Sequence, residues 1–395
     1  MFVSAKSTSS SVHSDVADKY LVSKLLGKGA CGDVFLVFLE ADFSRQFAMK
    51  IVDKKSFTST IIAPSATTSG VLRSSANDVL SEVNILKQLQ HPCIIHVHEV
   101  FDYPDRLYLV LERAIGGELF DRVVKKDGLD EFTAKLYFYQ MLLAIEYLHS
   151  KNVVHRDLKP ENILLASEAD MTLIKVTDFG LSKLVGEQSL MKTLCGTPNY
   201  LAPEIIKTSG MGHYNSKVDS WSLGVILFIM LAAYPPFSDD YNDMPLVEQI
   251  KKARFSFADH AWKSVSKEAK NLISKMIVVN AAKRFNCTQA LRHNWLKDEV
   301  MVKQVEELMK KDIDTRDATA KKPSSEDVNA SVMQNISHES EADLLNNTVQ
   351  LKNSCKENAD LTVGNVSEKD IVWKLEEDSS ESCSGAKKAK VDKLN

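Results

Sequence analysis

The sequence lacks the devices that hold small secreted or metal-bound domains together. Its six cysteines, at 31, 93, 195, 287, 355 and 383, show no CxxC or other metal-ligand spacing. That excludes a disulfide scaffold or a zinc module and fits reduced thiols in an intracellular protein. The formal charge is only −4 over 395 residues, so no basic surplus argues for nucleic acid as a direct partner. The strongest apolar run, Leu223 to Ala233, is shorter than the roughly 20 residues a bilayer span requires and reads as a buried core helix. Residues 1–19 are Ser-rich without a sustained apolar stretch. No secretory signal is expected there, and the segment reads as a disordered leader.

What is present is ample apolar content, 44% of residues, and a length that suits one large two-lobed domain with tails. The chain is organised around Val154-His155-Arg156-Asp157-Leu158-Lys159-Pro160-Glu161-Asn162, followed by Asp178-Phe179-Gly180. A carboxylate, a cation and an amide sit a short loop apart, with a second carboxylate leading a turn. Phosphoryl transfer needs such a set, because it is mostly positioning and charge neutralisation. Asp157 can accept the proton of an attacking hydroxyl, Asn162 and Asp178 can hold Mg²⁺, and Lys159 can sit against the transferred phosphate.

These residues resemble the HRDLxxxN and DFG motifs of eukaryotic protein kinases. The resemblance implies an α+β bilobal fold, with a small β-rich lobe over residues 20–111, a hinge at 112–115 and a helical lobe over 116–298. It also implies ATP and Mg²⁺ as cofactors. Lys159 is similar to the lysine of kinases that act on serine and threonine.

Gly27-Lys28-Gly29-Ala30-Cys31-Gly32 lies between two strand-like runs, so it is expected to close a hairpin over phosphates. A dinucleotide-binding turn would want a helix after the glycines. The resemblance places Val34 and Ala48 on the nucleotide, Lys50 on its α and β phosphates, and Glu82, on a helix over 78–90, as the counter-ion of Lys50. Leu111 would be the gatekeeper, with backbone groups of Glu112 and Ala114 bonding adenine. Glu118 and Glu161 would bind an arginine upstream of the phosphorylated residue; a ribose contact is the other reading. In the segment up to Ala202-Pro203-Glu204, Thr193 is the expected activating phosphosite, read by Arg156, with Ser189 and Thr197 as further sites. Thr197 would first contact Asp157 and Lys159. Glu204 is expected to pair with Arg284, and Asp219 to bond the backbone of the catalytic loop.

Tyr137-Phe138-Tyr139-Gln140-Met141 and Thr193-Leu194-Cys195-Gly196-Thr197-Pro198 are similar to the checkpoint kinase 2 family of DNA-damage effector kinases. Members commonly carry a forkhead-associated domain and an SQ/TQ cluster ahead of the kinase domain. Residues 1–19 hold neither, and Thr288-Gln289 is expected to be buried, so the chain reads as a short form. Residues 299–313 form a basic amphipathic pattern, either an extra helix resting on the lobe or a calmodulin target. Residues 314–395 read as a disordered tail, in which Lys387, Lys388 and Lys390 form a cluster a nuclear importer would read.

The expected partners are protein substrates with upstream arginine, an activating kinase or a second copy acting in trans, and a transient homodimer. No membrane is expected. The nucleus is the expected location, with the cytoplasm a second one. Two rivals stand beside the checkpoint kinase: a calcium/calmodulin-regulated kinase, and a pseudokinase scaffold. Intact Lys50, Glu82, Asp157, Asn162 and Asp178 weigh against the scaffold.

Overall fold

A computed structural model describes residues 12–29, 32–54, 87–178, 198–208, 214–240 and 244–320. Glu82 and most of its expected helix, Ser189, Thr193, Thr197 and the cluster at Lys387, Lys388 and Lys390 lie outside the described residues. The chain divides into two compact units after Ser331, and every described residue belongs to the first.

The chain enters through a short helix, α1 (Ser14–Lys19), and five strands follow: β1 (Tyr20–Gly29), β2 (Gly32–Leu39), β3 (Asp42–Asp53), β4 (Val97–Asp102) and β5 (Arg106–Glu112). They form one antiparallel sheet in the order β1-β2-β3-β5-β4. The period-2 alternation of a strand sorts its side chains between two faces. Phe47, Met49, Tyr108 and Val110 point to the outer face, where they pack with Val37 and Tyr20. Val52, Leu107, Leu109 and Leu111 join the main core, so Ala48 and Lys50 face inward with them.

Part of the expected leader is ordered. Val16 of α1 is fully buried on the outer face of the sheet, and His13 stacks on Tyr103 with centroids 3.7 Å apart. A polar composition hid this, because one valine with two aromatic contacts is enough to dock two helical turns. Full burial of one such side chain is worth about 1.5–3 kcal/mol.

The helical lobe begins with α2 (Leu119–Lys125) and α3 (Glu131–Ser150). α3 starts where Asp130 accepts a hydrogen bond from the Thr133 amide at 2.9 Å, an N-cap worth about 1 kcal/mol. Its apolar face, from Leu136 to Leu148, is buried in the main core. A hairpin of β6 (Ile163–Leu165) and β7 (Ile174–Val176) follows the loop, and β7 is stitched to the small lobe by Ile95 N–H on Val176 O and Val176 N–H on Cys93 O, both 2.9 Å.

After α4 (Pro203–Lys207) comes α5 (Lys217–Ala232), whose residues from Val218 onward are all buried. This is the apolar run read as a core helix, and among the described residues no helix is long and apolar enough to cross a membrane. Gly224 lets it approach its neighbour, because a Cβ there would lie 2.9 Å from Met276 Cβ. α6 (Leu246–Lys252), α7 (Lys267–Met276) and α8 (Cys287–Leu291) complete the lobe.

The last helix, α9 (Glu299–Ala320), continues beyond the expected end at 313, so residues 314–320 are helical rather than part of a disordered tail. It rests on the lobe: Met301 and Val305 are fully buried, and Val302, Leu308 and Met309 pack against the core. Thr288, expected to be buried, is half-buried and donates to Glu146 Oε1 at 2.5 Å.

Candidate active site

The glycine-rich segment closes a hairpin. Gly27 pairs with Val34, Lys28 with Asp33 and Gly29 with Gly32, and β2 continues as strand. A dinucleotide-binding helix is thereby excluded at this place. Gly32 has φ +145°, and a Cβ on it would lie 2.1 Å from the Ile51 carbonyl, so only glycine fits against β3. In register, Val34 stands opposite Lys50, and Ala48 opposite Leu111.

Lys50 is 2% exposed, and its ammonium lies 2.6 Å from Asp178 Oδ1. A buried ammonium requires a carboxylate, and the described residues supply Asp178. The expected partner, Glu82, lies outside them. Strand β3 thus meets the end of β7, 128 positions later in the chain.

The catalytic loop is tied in a knot. Lys159 Nζ donates to Asp157 Oδ2 at 3.0 Å, and Asn162 Nδ2 donates to the Asp157 carbonyl at 2.7 Å and to its Oδ2 at 3.3 Å. Burial works against the charge of Lys159, but Asp157, with Glu161 and Asp178 nearby, raises its pKa above the ordinary lysine value. It remains a cation throughout the physiological range. Thr177 N–H donates to Asn162 O at 2.9 Å, laying the stretch before Asp178 alongside the amide.

Arg156 and Asp178 both have left-handed backbones, at φ 69° and 61°. Non-glycine residues held this way cluster at functional sites, where the surroundings over-determine them. For the loop those surroundings are Asp219. Its carboxylate accepts His155 N–H at 2.9 Å, Arg156 N–H at 2.8 Å and a bond to His149 Nε2 at 2.7 Å. The expected pair of Glu204 and Arg284 is also present, with two bonds of 2.8 and 3.0 Å.

The expected adenine strap runs from buried Leu111 through Glu112 to half-buried Ala114. The Glu112 amide is already given to His96 O at 2.9 Å, so its carbonyl is the group that can face an adenine amino group. Glu118 sits at the start of α2, bridged to Leu164. Burial pushes its carboxyl up, and the negative charges of Asp121 and Glu161 push it further.

The donor set also suits a divalent metal. Asn162 spends its amide nitrogen on Asp157, leaving Oδ1, while Lys50 holds one oxygen of Asp178. Hard oxygen donors of this kind bind magnesium through few protein ligands plus phosphate oxygens. When bound, such an ion would neutralise phosphate charge. The chain's own residues do the rest: Lys50 supplies a buried cation, Asp157 a carboxylate for the hydroxyl proton, and Lys159 a second cation beside it.

Two lobes, a glycine hairpin, a buried lysine on an aspartate and a knotted acidic loop define an ATP-dependent phosphotransferase of the protein kinase type. The family model described as "Protein kinase domain" matches residues 20–296, and the chain belongs to that family. It is similar to ovarian-specific serine/threonine-protein kinase Lok of Drosophila melanogaster, 45% identical over 298 residues. That match covers 75% of this chain and 61% of Lok. It is also similar to calcium/calmodulin-dependent protein kinase type 1 of Macrobrachium nipponense, 41% identical over 281 residues, covering 71% of this chain and 76% of the relative. Myosin light chain kinase A of Dictyostelium discoideum is 40% identical over 283 residues, covering 72% and 90%. The protein is a serine/threonine protein kinase, and its domain implies ATP and a divalent metal.

Residue-by-residue reading missed Lys175, Asp312 and Arg316, which gather behind the hinge around Glu112. No motif contains them. A buried lysine inside a strand, flanked by Ile174 and Val176, was the one available signal.

Proposed function

We propose that the chain transfers the γ-phosphate of Mg²⁺-bound ATP to serine or threonine in proteins with an upstream arginine, as an effector in DNA-damage checkpoint signalling in the nucleus. The observation that carries the catalytic part is the knot of Asp157, Lys159 and Asn162 beside the Lys50–Asp178 pair. In this reading Asp157 takes the hydroxyl proton while Lys159 shields the charge that builds between nucleophile and phosphate. Preference for arginine is supported by Glu118, whose raised pKa reports burial and crowding by Asp121 and Glu161. A guanidinium held by these carboxylates would relieve both. Activation by phosphate on Thr193 is supported by Arg156, whose Nε is buried with no hydrogen-bond partner among the described residues. The checkpoint role rests on the likeness of its motifs alone.

The test is transfer to an Arg-x-x-Ser peptide and to its Ala-x-x-Ser analogue. Asp157→Asn is expected to lower kcat roughly 10²- to 10⁴-fold while ATP binding persists, and the parent is expected to show a higher KM for the analogue. Equal turnover by Asp157→Asn and parent would overturn the catalytic assignment, and equal KM for the two peptides would overturn the arginine preference.

A further inference from the structure

Behind the hinge lies a closed ring of four charges of alternating sign. Lys175, on β7 and 3% exposed, lies 2.9 Å from Asp312 Oδ1 and 3.2 Å from Glu112 Oε1. Arg316 lies 2.7 Å from Asp312 and 3.2 Å from Glu112. Glu112 also accepts the His96 amide at 2.9 Å. Two members therefore belong to α9, one is the last residue of β5 where the lobes join, and one lies on the strand that ends two residues before Asp178.

The ring differs from the rest of the α9 contact. Met301 and Val305 anchor the first turns by burial, whereas no residue from Glu306 to Ala318 is fully buried and Ile313 is 46% exposed. What holds the distal turns against the hinge is charge. The two cations and two carboxylates cancel, so removing one carboxylate leaves the ring with an uncompensated positive charge. The carboxylate of Glu112 is fixed by the same set, and its backbone is part of the strap that would meet adenine.

We propose that Lys175, Asp312 and Arg316 are positioning residues for the nucleotide: α9 reaches past the lobe to clamp the hinge through Glu112, so its last turns set ATP affinity. This rests on the reading that the hinge backbone meets adenine. The helix acts as a support and not as a block, since its charged contacts fall on the side chain of Glu112 and on Lys175, not on Asp157, Lys50 or Glu118.

The test compares the full chain with Asp312→Asn, Arg316→Gln, the double variant and Lys310→Gln, an exposed position on the same helix. The readouts are KM for ATP, KM for peptide, kcat, calorimetric ADP binding and Tm. Each single ring variant is expected to raise KM for ATP and Kd for ADP by about three- to tenfold, the size of energetic coupling through a packed network. Peptide KM and kcat are expected to stay within about twofold. The double variant leaves Lys175 and Glu112 as a neutral pair, so its effect should fall below the product of the singles. Lys310→Gln should match the parent. A lower Tm with unchanged ATP and ADP affinity would reduce the ring to packing and overturn the proposal, as would a rise in kcat, which would make α9 a brake. Ala114→Pro deletes a hinge amide and separates the two ideas. If it leaves ADP binding unchanged, the placing of adenine at the hinge fails whatever the ring variants do.

Discussion

Asp219 holds the backbone of the catalytic loop, which hangs from its carboxylate. Burial alone would raise its carboxyl, but the bond from His149, the charges of His149 and His155 and the Arg156 amide hold it below the usual carboxylate range. A carboxyl depressed in the folded state stabilises fully above its unfolded pKa, about 3.9. That contribution is lost as pH falls through the lower folded value. Asp219→Asn is therefore expected to cost about 3–5 kcal/mol at pH 7, with the gap to the parent constant down to about pH 5 and narrowing below it. Urea midpoints of both proteins measured from pH 7 to pH 3 check this, and a gap that widens on acidification would refute it. The residues that touch the chemistry, from His155 to Asn162 and Asp178, were legible because short loops force neighbours in sequence to be neighbours in space. Glu112 was expected at the hinge for its backbone, but the charged partners of its side chain lie 63 and 204 positions away and left no local pattern.

At the scale of elements, the glycine hairpin, α3 and α5 followed from periodicity and turn chemistry, while the two ends of the ordered chain did not. α1 is too short to show a periodic face. The end of α9 carries no apolar stripe, because charge and not burial fixes it. This bears on the calmodulin reading of residues 299–313. A helix-in-groove target offers apolar anchors to its binder, but here Met301 and Val305 are buried in the lobe and Leu308 and Met309 pack against it. Capture would have to strip two buried side chains from the core, at about 1.5–3 kcal/mol each. Added Ca²⁺/calmodulin is expected to leave peptide phosphorylation unchanged, and stimulation in that assay would show that α9 comes away.

For the whole molecule, the cysteines give a probe of how cooperatively it opens. Cys93 and Cys287 are buried, and burial pushes the Cys93 thiol up to about 12 and the Cys287 thiol well above its usual value. A thiol reacts as its thiolate, so iodoacetamide should spare both in the native protein and label both once urea unfolds it. Mass spectrometry of peptides containing the two residues reads this, and labelling of either at native conditions would reveal local opening of the lobe. Freedom of the two lobes relative to one another is bounded more tightly than the length of the connection suggests. The Gly116 amide is fastened to Leu165 O, the Leu165 amide to Gly117 O, and a Cβ at Gly116 would come within 2.2 Å of the Ser167 carbonyl. The fulcrum therefore ends at this glycine. Any tuning of how wide the jaws swing, by selection or by an engineer, has to be written into the few positions just upstream of it.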